Sequence, residues 1–288
     1  MHIERTTPDP AALDAVLSDL ASWQQDGGPV QLHPGDLGWH MRFGPDAVAG
    51  ALRIWTVGGT AVAIGFLDEK SLIRMCVTPS ANQDEELAEA LVRDLEDPDS
   101  GVLTGDRVVV EARSGAALRS LLHRRGWVDD DPWTPLVRDL RDPVEVTDLR
   151  VEIAGPELIA DRVAVQRAAF DNSTFSADRW TVMSQSAAYR HARCLVGYDS
   201  QDNAVAAATV WSAGAGRPGL LEPMGVHRDH RGHGHGTAIT LAAAAGLRDL
   251  GASSATVATP SSNEGAVATY ASAGFRPLPA VTDFALTR

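Results

Sequence analysis

The stretch Val226–Gly236 reads VHRDHRGHGHG and lies between a strand-like run, LLEPMGV from Leu220, and a helical run that starts at Thr237. A connection from a buried strand to a helix needs only two to six residues, so this loop has residues to spare. Glycines at 232, 234 and 236 permit positive φ and close approach of another molecule to the backbone. Their amides, with those of the first helical turn, point outward at the positive end of the helix dipole, and Arg231 adds a cation. The physics favours a phosphate or pyrophosphate; the plainer alternative is a glycine-rich turn that only reverses the chain. Spacing narrows the ligand. A nucleotide P-loop needs a lysine after its last glycine, and Thr237 stands there. A dinucleotide fingerprint fails as well, because its third glycine would fall on Thr237 or Ile239.

Around this loop, periodicity gives an alternating order of strands and helices. Leu149–Ala154 reads as a strand, Glu157–Phe170 and Ala177–Tyr189 as helices, and CLVGY from Cys194, AVAAATVW from Ala204 and LLEPMGV as strands. Thr237–Leu250 is a helix with Ile239, Ala243, Leu247 and Leu250 on one face, stopped by Gly251. ATVAT from Ala255 is a strand, and Asn263–Ala273 a helix ending at Gly274. The first half repeats the order at an offset of about 148–149 positions: SLIRMCV ends at Val77 as LLEPMGV ends at Val226. Helices over Asp84–Leu95 and Ala116–Arg125 flank VVVEA from Val108, and Gly126-Trp127 stands where Gly274-Phe275 does. The charged stretch Arg138–Thr147 is the expected seam.

Length and composition agree. At 288 residues the chain suits two domains, and 44% hydrophobic with 22% charged residues excludes a disordered or fibrous protein. A net charge of −13 argues against a phosphate-coating nucleic-acid binder. Two cysteines 118 residues apart, Cys76 and Cys194, supply neither a disulfide framework nor a zinc knuckle. With no apolar run of membrane-spanning length and no secretory order at the amino terminus, the expectation is a soluble, cytoplasmic protein without a membrane partner. His227, His230, His233 and His235 invite a metal, but alternate residues of a glycine loop point apart, so none is expected.

Arg231-Gly232-His233-Gly234-His235-Gly236 resembles the Arg/Gln-x-x-Gly-x-Gly/Ala acyl-CoA pyrophosphate loop of the GNAT acyltransferase superfamily. Asn263, Ala266, Tyr270 and Gly274-Phe275 resemble that family's second signature. The likeness is specific over Leu220–Phe275 and a fold-level echo in the first half. It implies two tandem GNAT-like α/β domains, each a mixed twisted sheet flanked by helices: residues 1–144 degenerate and structural, residues 145–288 catalytic. Mycothiol synthase, a family member, has a similar layout. The resemblance further implies acetyl-CoA as co-substrate, held by the backbone of Met224 and Val226, by the loop from Arg231 through Gly232, His233, Gly234 and Gly236 to Thr237, and by Asn263. Tyr270 would donate a proton to the leaving thiolate.

The reaction needs a base for an ammonium acceptor. Glu222, four residues before Val226, shares a face with Met224 and Val226 by alternation, and family members often carry a glutamate there. Its alternative is a strand-edge carboxylate facing solvent, since Pro223 can distort the strand. By the offset, Ile73 replaces Glu222, Gly115 replaces Asn263 and Leu122 replaces Tyr270, while Asp84, Glu85 and Glu86 stand where phosphates would approach. The expected activity is N-acetyl transfer to an unidentified amine of a small molecule or peptide. Alternatives are an acyl-CoA-binding sensor without catalysis and a plain interaction protein. Asp171, Phe175 and Trp180 are candidates for the acceptor pocket, against ordinary loop packing.

Overall fold

The computed structural model describes residues 2–288. In the first half the elements run β1 (Ile3–Thr6), α1 (Leu13–Ser22), α2 (Pro34–His40), α3 (Pro45–Ala51), β2 (Leu52–Val57), β3 (Thr60–Glu69), β4 (Leu72–Val77), α4 (Glu85–Glu96), β5 (Arg107–Ala112), α5 (Ala116–Arg124) and β6 (Val128–Asp139). The second half follows with β7 (Arg150–Ile153), α6 (Ile159–Ala169), α7 (Ala177–Ser184), β8 (Ala192–Tyr198), β9 (Ala204–Ser212), β10 (Gly219–Val226), α8 (His235–Asp249), β11 (Ser254–Pro260), α9 (Glu264–Ser272), β12 (Arg276–Pro277) and β13 (Val281–Thr287). The elements expected from periodicity are present within two or three residues, except that the helix begun at Ala177 stops at Ser184, and residues Ala188–His191 form a separate 3₁₀ turn. β6 runs through Asp139, so the expected seam begins inside a strand.

All strands join one mixed sheet in the order β1-β2-β3-β4-β5-β13-β6-β11-β10-β9-β8-β7, with β12 on β6. The middle of that order is an exchange. The last strand of the first half, β6, pairs with β11 over Trp133–Asp139, and the last strand of the second half, β13, pairs with β5. Each half's sheet is therefore completed by the other's final strand. Apolar burial follows this join. One core cluster is confined to the first half apart from Phe284 of β13, and one lies under α8 and β10–β11. A third is shared, packing Leu37 and Trp39 of α2 with Cys194, Val196 and Trp211. Ile239, Ala243 and Leu247 of α8 are buried against the sheet as their spacing predicts. Among the described residues no helix is long and apolar enough to cross a membrane.

Candidate active site

β10 and β11 run parallel but stay paired for two residues only, Gly219 with Ala255 and Leu220 with Thr256. Beyond them β10 remains paired to β9 alone, with a bulge between Leu221 and Met224. The local cause is Glu222-Pro223: proline has no N–H to give a ladder, and a bulge bends the strand that carries it. The edge of β10 at Met224 and Val226 is thus turned away from β11, leaving a cleft into which an extended chain can lay its own polar groups. The bulge also breaks the strict alternation from which Glu222 was placed on one face with Met224 and Val226.

The glycine loop lies at the end of this cleft. Gly232 and Gly234 have φ of 82° and 80°, and Gly234 is the N-cap of α8. The first-turn amides of a helix lack intrahelical partners, so those at His235, Gly236 and Thr237 are available to an anion. Gly236 is required for a different reason: a Cβ there would lie 2.9 Å from Cγ2 of Thr269, so its absence lets α8 close on α9. Arg231 donates from Nη2 to the Ala169 carbonyl at 3.0 Å, and Arg228 from Nε to that of Ala168 at 2.8 Å. Both guanidiniums fasten the loop to the C-terminal carbonyls of α6. His233 is exposed in the loop. Asn263 is the N-cap of α9 and accepts from the Ala266 N–H at 3.2 Å through Oδ1. Among the described residues no group of three or more His, Cys, Asp or Glu side chains is placed to hold a metal ion.

Glu222 sits where β10 parts from β11, partly buried, with its carbonyl accepting from Nε1 of Trp211 at 2.8 Å. It does not face bulk solvent. Burial, and after it the negative charge of Asp36, together push its carboxyl up to about 8 against the opposing Arg74. Tyr270 is 6% exposed, and its hydroxyl is pushed up by burial and then by the charge of Glu222, so acid and carboxylate share one electrostatic neighbourhood.

The neighbours of Glu222 come from the first half. Asp36, buried on α2, accepts from the His33 N–H at 2.6 Å and from Nη1 of Arg74 at 2.7 Å. Arg74 also donates from Nε to Glu111 at 3.0 Å. Burial opposes the Arg74 charge, but Asp36 and Glu111 outweigh it and hold the guanidinium protonated well beyond its usual range. His40 contacts Asp68 at 3.0 Å. None of these residues was singled out from sequence. The available signal was Gly35-x-x-Gly38 around Asp36: a Cβ at either glycine would overlap the Trp211 ring, so the pair marks where α2 presses onto β9.

The acceptor-pocket candidates fare otherwise. Phe175 and Trp180 are in the shared core, Trp180 donating to the Tyr189 hydroxyl at 2.9 Å, and Asp171 is an exposed partner of Arg228. Large aromatic surfaces between two short helices are buried by packing, which left none for a pocket. A cavity of about 820 Å³ instead opens between residues 24–31 and the strands β6, β11 and β12, lined by Gln31, His33, Arg138 and Arg276 among others. His33 connects it to the carboxylate cluster, because the same residue gives Asp36 its backbone N–H.

Residues 162–275 match the family model described as the acetyltransferase (GNAT) family. No curated protein matches the chain. Among solved structures, a GCN5-related N-acetyltransferase from Sphaerobacter thermophilus is similar at 20% identity and TM-score 0.58, covering 99% of this chain and 95% of that one. A GNAT-family acetyltransferase from Colwellia psychrerythraea is similar at 15% identity and TM-score 0.61, covering 99% and 100%. A tandem GNAT protein from the clavulanic acid biosynthesis pathway is similar at 17% identity and TM-score 0.56, covering 99% and 98%. At these identities the likeness speaks to the fold, which is GNAT-like over nearly the whole chain.

Proposed function

Because residues 162–275 match the GNAT acetyltransferase family model, we propose that the protein is an acetyl-CoA-dependent N-acetyltransferase with one working site, carried by residues 145–288, and an amine of a small molecule or peptide as acceptor. Residues 1–144 hold no acyl-CoA in this reading. The observation that carries it is that Glu222 lies where β10 leaves β11 and its charge acts on the buried Tyr270 hydroxyl. A thioester carbonyl brought there along the cleft lies between a carboxylate base and a phenolic acid. The pyrophosphate of CoA rests on the α8 amides with Gly232, His233 and Gly234, the pantetheine follows Met224 and Val226, and Asn263 bonds its arm.

Glu222 takes a proton from the incoming ammonium, the free amine attacks the carbonyl, and the C–S bond breaks as Tyr270 protonates the thiolate, the second proton lost by the adduct nitrogen restoring the Tyr270 hydroxyl. Main-chain amides at Met224 or Val226 receive the developing oxyanion.

Turnover of wild type and Glu222→Gln on one alkylamine from pH 6 to 10 tests the assignment. Below about pH 8 the wild-type base is progressively protonated, while the variant is limited by the supply of free amine. Both rates then fall in parallel and their ratio stays constant. Above pH 8 the ratio shrinks as the amine arrives already deprotonated. A ratio that stays constant through pH 10 would mean that Glu222 orients the acceptor and is not the base.

A further inference from the structure

The Glu222 carboxyl is built into the molecule from two sides. On one side the Trp211 indole of β9 donates to the Glu222 backbone carbonyl at 2.8 Å and fixes the main chain from which the carboxyl projects. On the other side α2 lies against the same indole through Gly35 and Gly38, which places Asp36, between those glycines, at the Glu222 side chain. Asp36 itself cannot turn away. One of its oxygens accepts from the His33 N–H at 2.6 Å, the other from Arg74 at 2.7 Å, and Arg74 is held in turn by Glu111 at 3.0 Å. Arg74 and Glu111 are opposite each other on β4 and β5.

We propose that Asp36, from the first half of the chain, is a positioning residue of the acyl-transfer site: with Arg74 behind it, it orients the Glu222 carboxyl and sets the pH at which that carboxyl becomes a base. The inference rests on the proposed role of Glu222. Two carboxyl groups this close, in a partly desolvated site, cannot both ionise freely, so one proton is shared and lost late. Arg74 moderates the effect, because its charge stabilises the doubly ionised pair. The titration belongs to the pair and not to either residue alone. Charged and titratable groups reach Glu222 from every packed element: Asp36 on α2, Arg42 after it, Asp68 on β3, Arg74 on β4 and Tyr270 on α9. Asp68 is held by His40, and Arg42 sits over the rings of Trp39 and Phe43, so neither is free to replace Asp36.

The test has one readout that does not depend on turnover. Full-length protein with ¹³C-labelled glutamate is titrated by NMR, the Glu222 carboxyl signal being assigned by its loss in Glu222→Gln. In wild type the signal moves near pH 8. Asp36→Asn, which keeps an acceptor for the His33 N–H, lowers the midpoint by roughly one pH unit or more, and Arg74→Gln raises it. The acid limb of kcat/KM moves in the same two directions. Should Asp36→Asn fail to fold, Arg74→Gln and Glu111→Gln still decide, the second by loosening Arg74 and shifting the midpoint in the direction of Arg74→Gln. A Glu222 signal that titrates near 4.5 in wild type, or that neither Asp36→Asn nor Arg74→Gln moves, overturns the inference. NMR shifts as described without acetyl transfer to any amine would contradict the proposed function and leave the Asp36–Glu222 pair standing.

Discussion

The two halves contain the same crossover of parallel strands and treat it oppositely. In the second half, β10 and β11 part after Leu220; in the first, β4 and β5 stay paired over Leu72, Ile73, Arg74 and Met75. At the offset of the repeat Pro223 corresponds to Arg74. Proline removes a ladder donor and the strand bulges away, whereas Arg74 keeps the ladder and adds a salt bridge to Glu111 across it. Further on, the Val77 N–H is bonded to Ser114 Oγ at 2.9 Å, and the N–H groups of Gly115 and Ala116 to Asn82 Oδ1 at 3.1 Å each. The N-terminus of α4 is capped by Asp84, which accepts from Leu87 N–H at 2.9 Å. The backbone groups of Val77, Gly115, Ala116 and Leu87, which border the corresponding place in the first half, are thus engaged by the chain itself. The difference teaches that a cleft of this kind is lost by filling its hydrogen bonds, and that a closed copy can still serve the open one: Arg74 both seals the first cleft and supports Asp36 beside Glu222.

The contrast can be attacked at three points, in decreasing order of effect. Tyr270→Phe keeps the buried ring and deletes the hydroxyl that Leu122 never had. It lowers kcat on the order of 10²-fold with CoA binding unchanged, measured by steady-state kinetics and calorimetry; an equal loss in CoA affinity would make Tyr270 a binding residue. Asn82→Ala leaves two N–H groups without their acceptor and destabilises the protein by about 2 kcal/mol in chemical denaturation, with no change in CoA affinity. Asn263→Ala removes the cap of α9 for about 1 kcal/mol and, in contrast, weakens CoA binding. If the two asparagines behaved alike toward CoA, the open and closed clefts would not be functionally distinct.

The order of strands and helices was legible because it is written locally: alternation in Val108–Ala112, a three-to-four spacing through Ile239, Ala243 and Leu247, glycine stops at 126, 251 and 274. The glycine loop before α8 was legible for the same reason, its residues being contiguous. The exchange of β6 and β13 was not, since nothing in VDDDPWTPLVRD or VTDFALT says which strand it will lie beside; that is decided by contacts more than a hundred positions apart. Asp36 escaped notice likewise. A carboxylate in HPGDLGWH looks like an ordinary helix-start acid, and it is one, accepting from His33 N–H, until Trp211 and Glu222 arrive from the other half. Phe175 and Trp180 misled in the opposite sense, because aromatic residues between helices are chosen by core and pocket alike.

The central claim is that a single acyl-CoA site exists and that it is the open cleft with its glycine loop. Calorimetric titration of CoA into the full chain, wild type and Gly234→Val, tests it most directly. A Cβ at Gly234 meets nothing within 4 Å, but φ of 80° is closed to a β-branched residue, so the loop must shift while the core is spared. The account predicts one CoA per chain in wild type and an affinity about 10- to 100-fold lower in the folded variant, the equivalent of one or two hydrogen bonds to a charged group. Two equivalent sites per chain, or unchanged affinity in Gly234→Val, would contradict it.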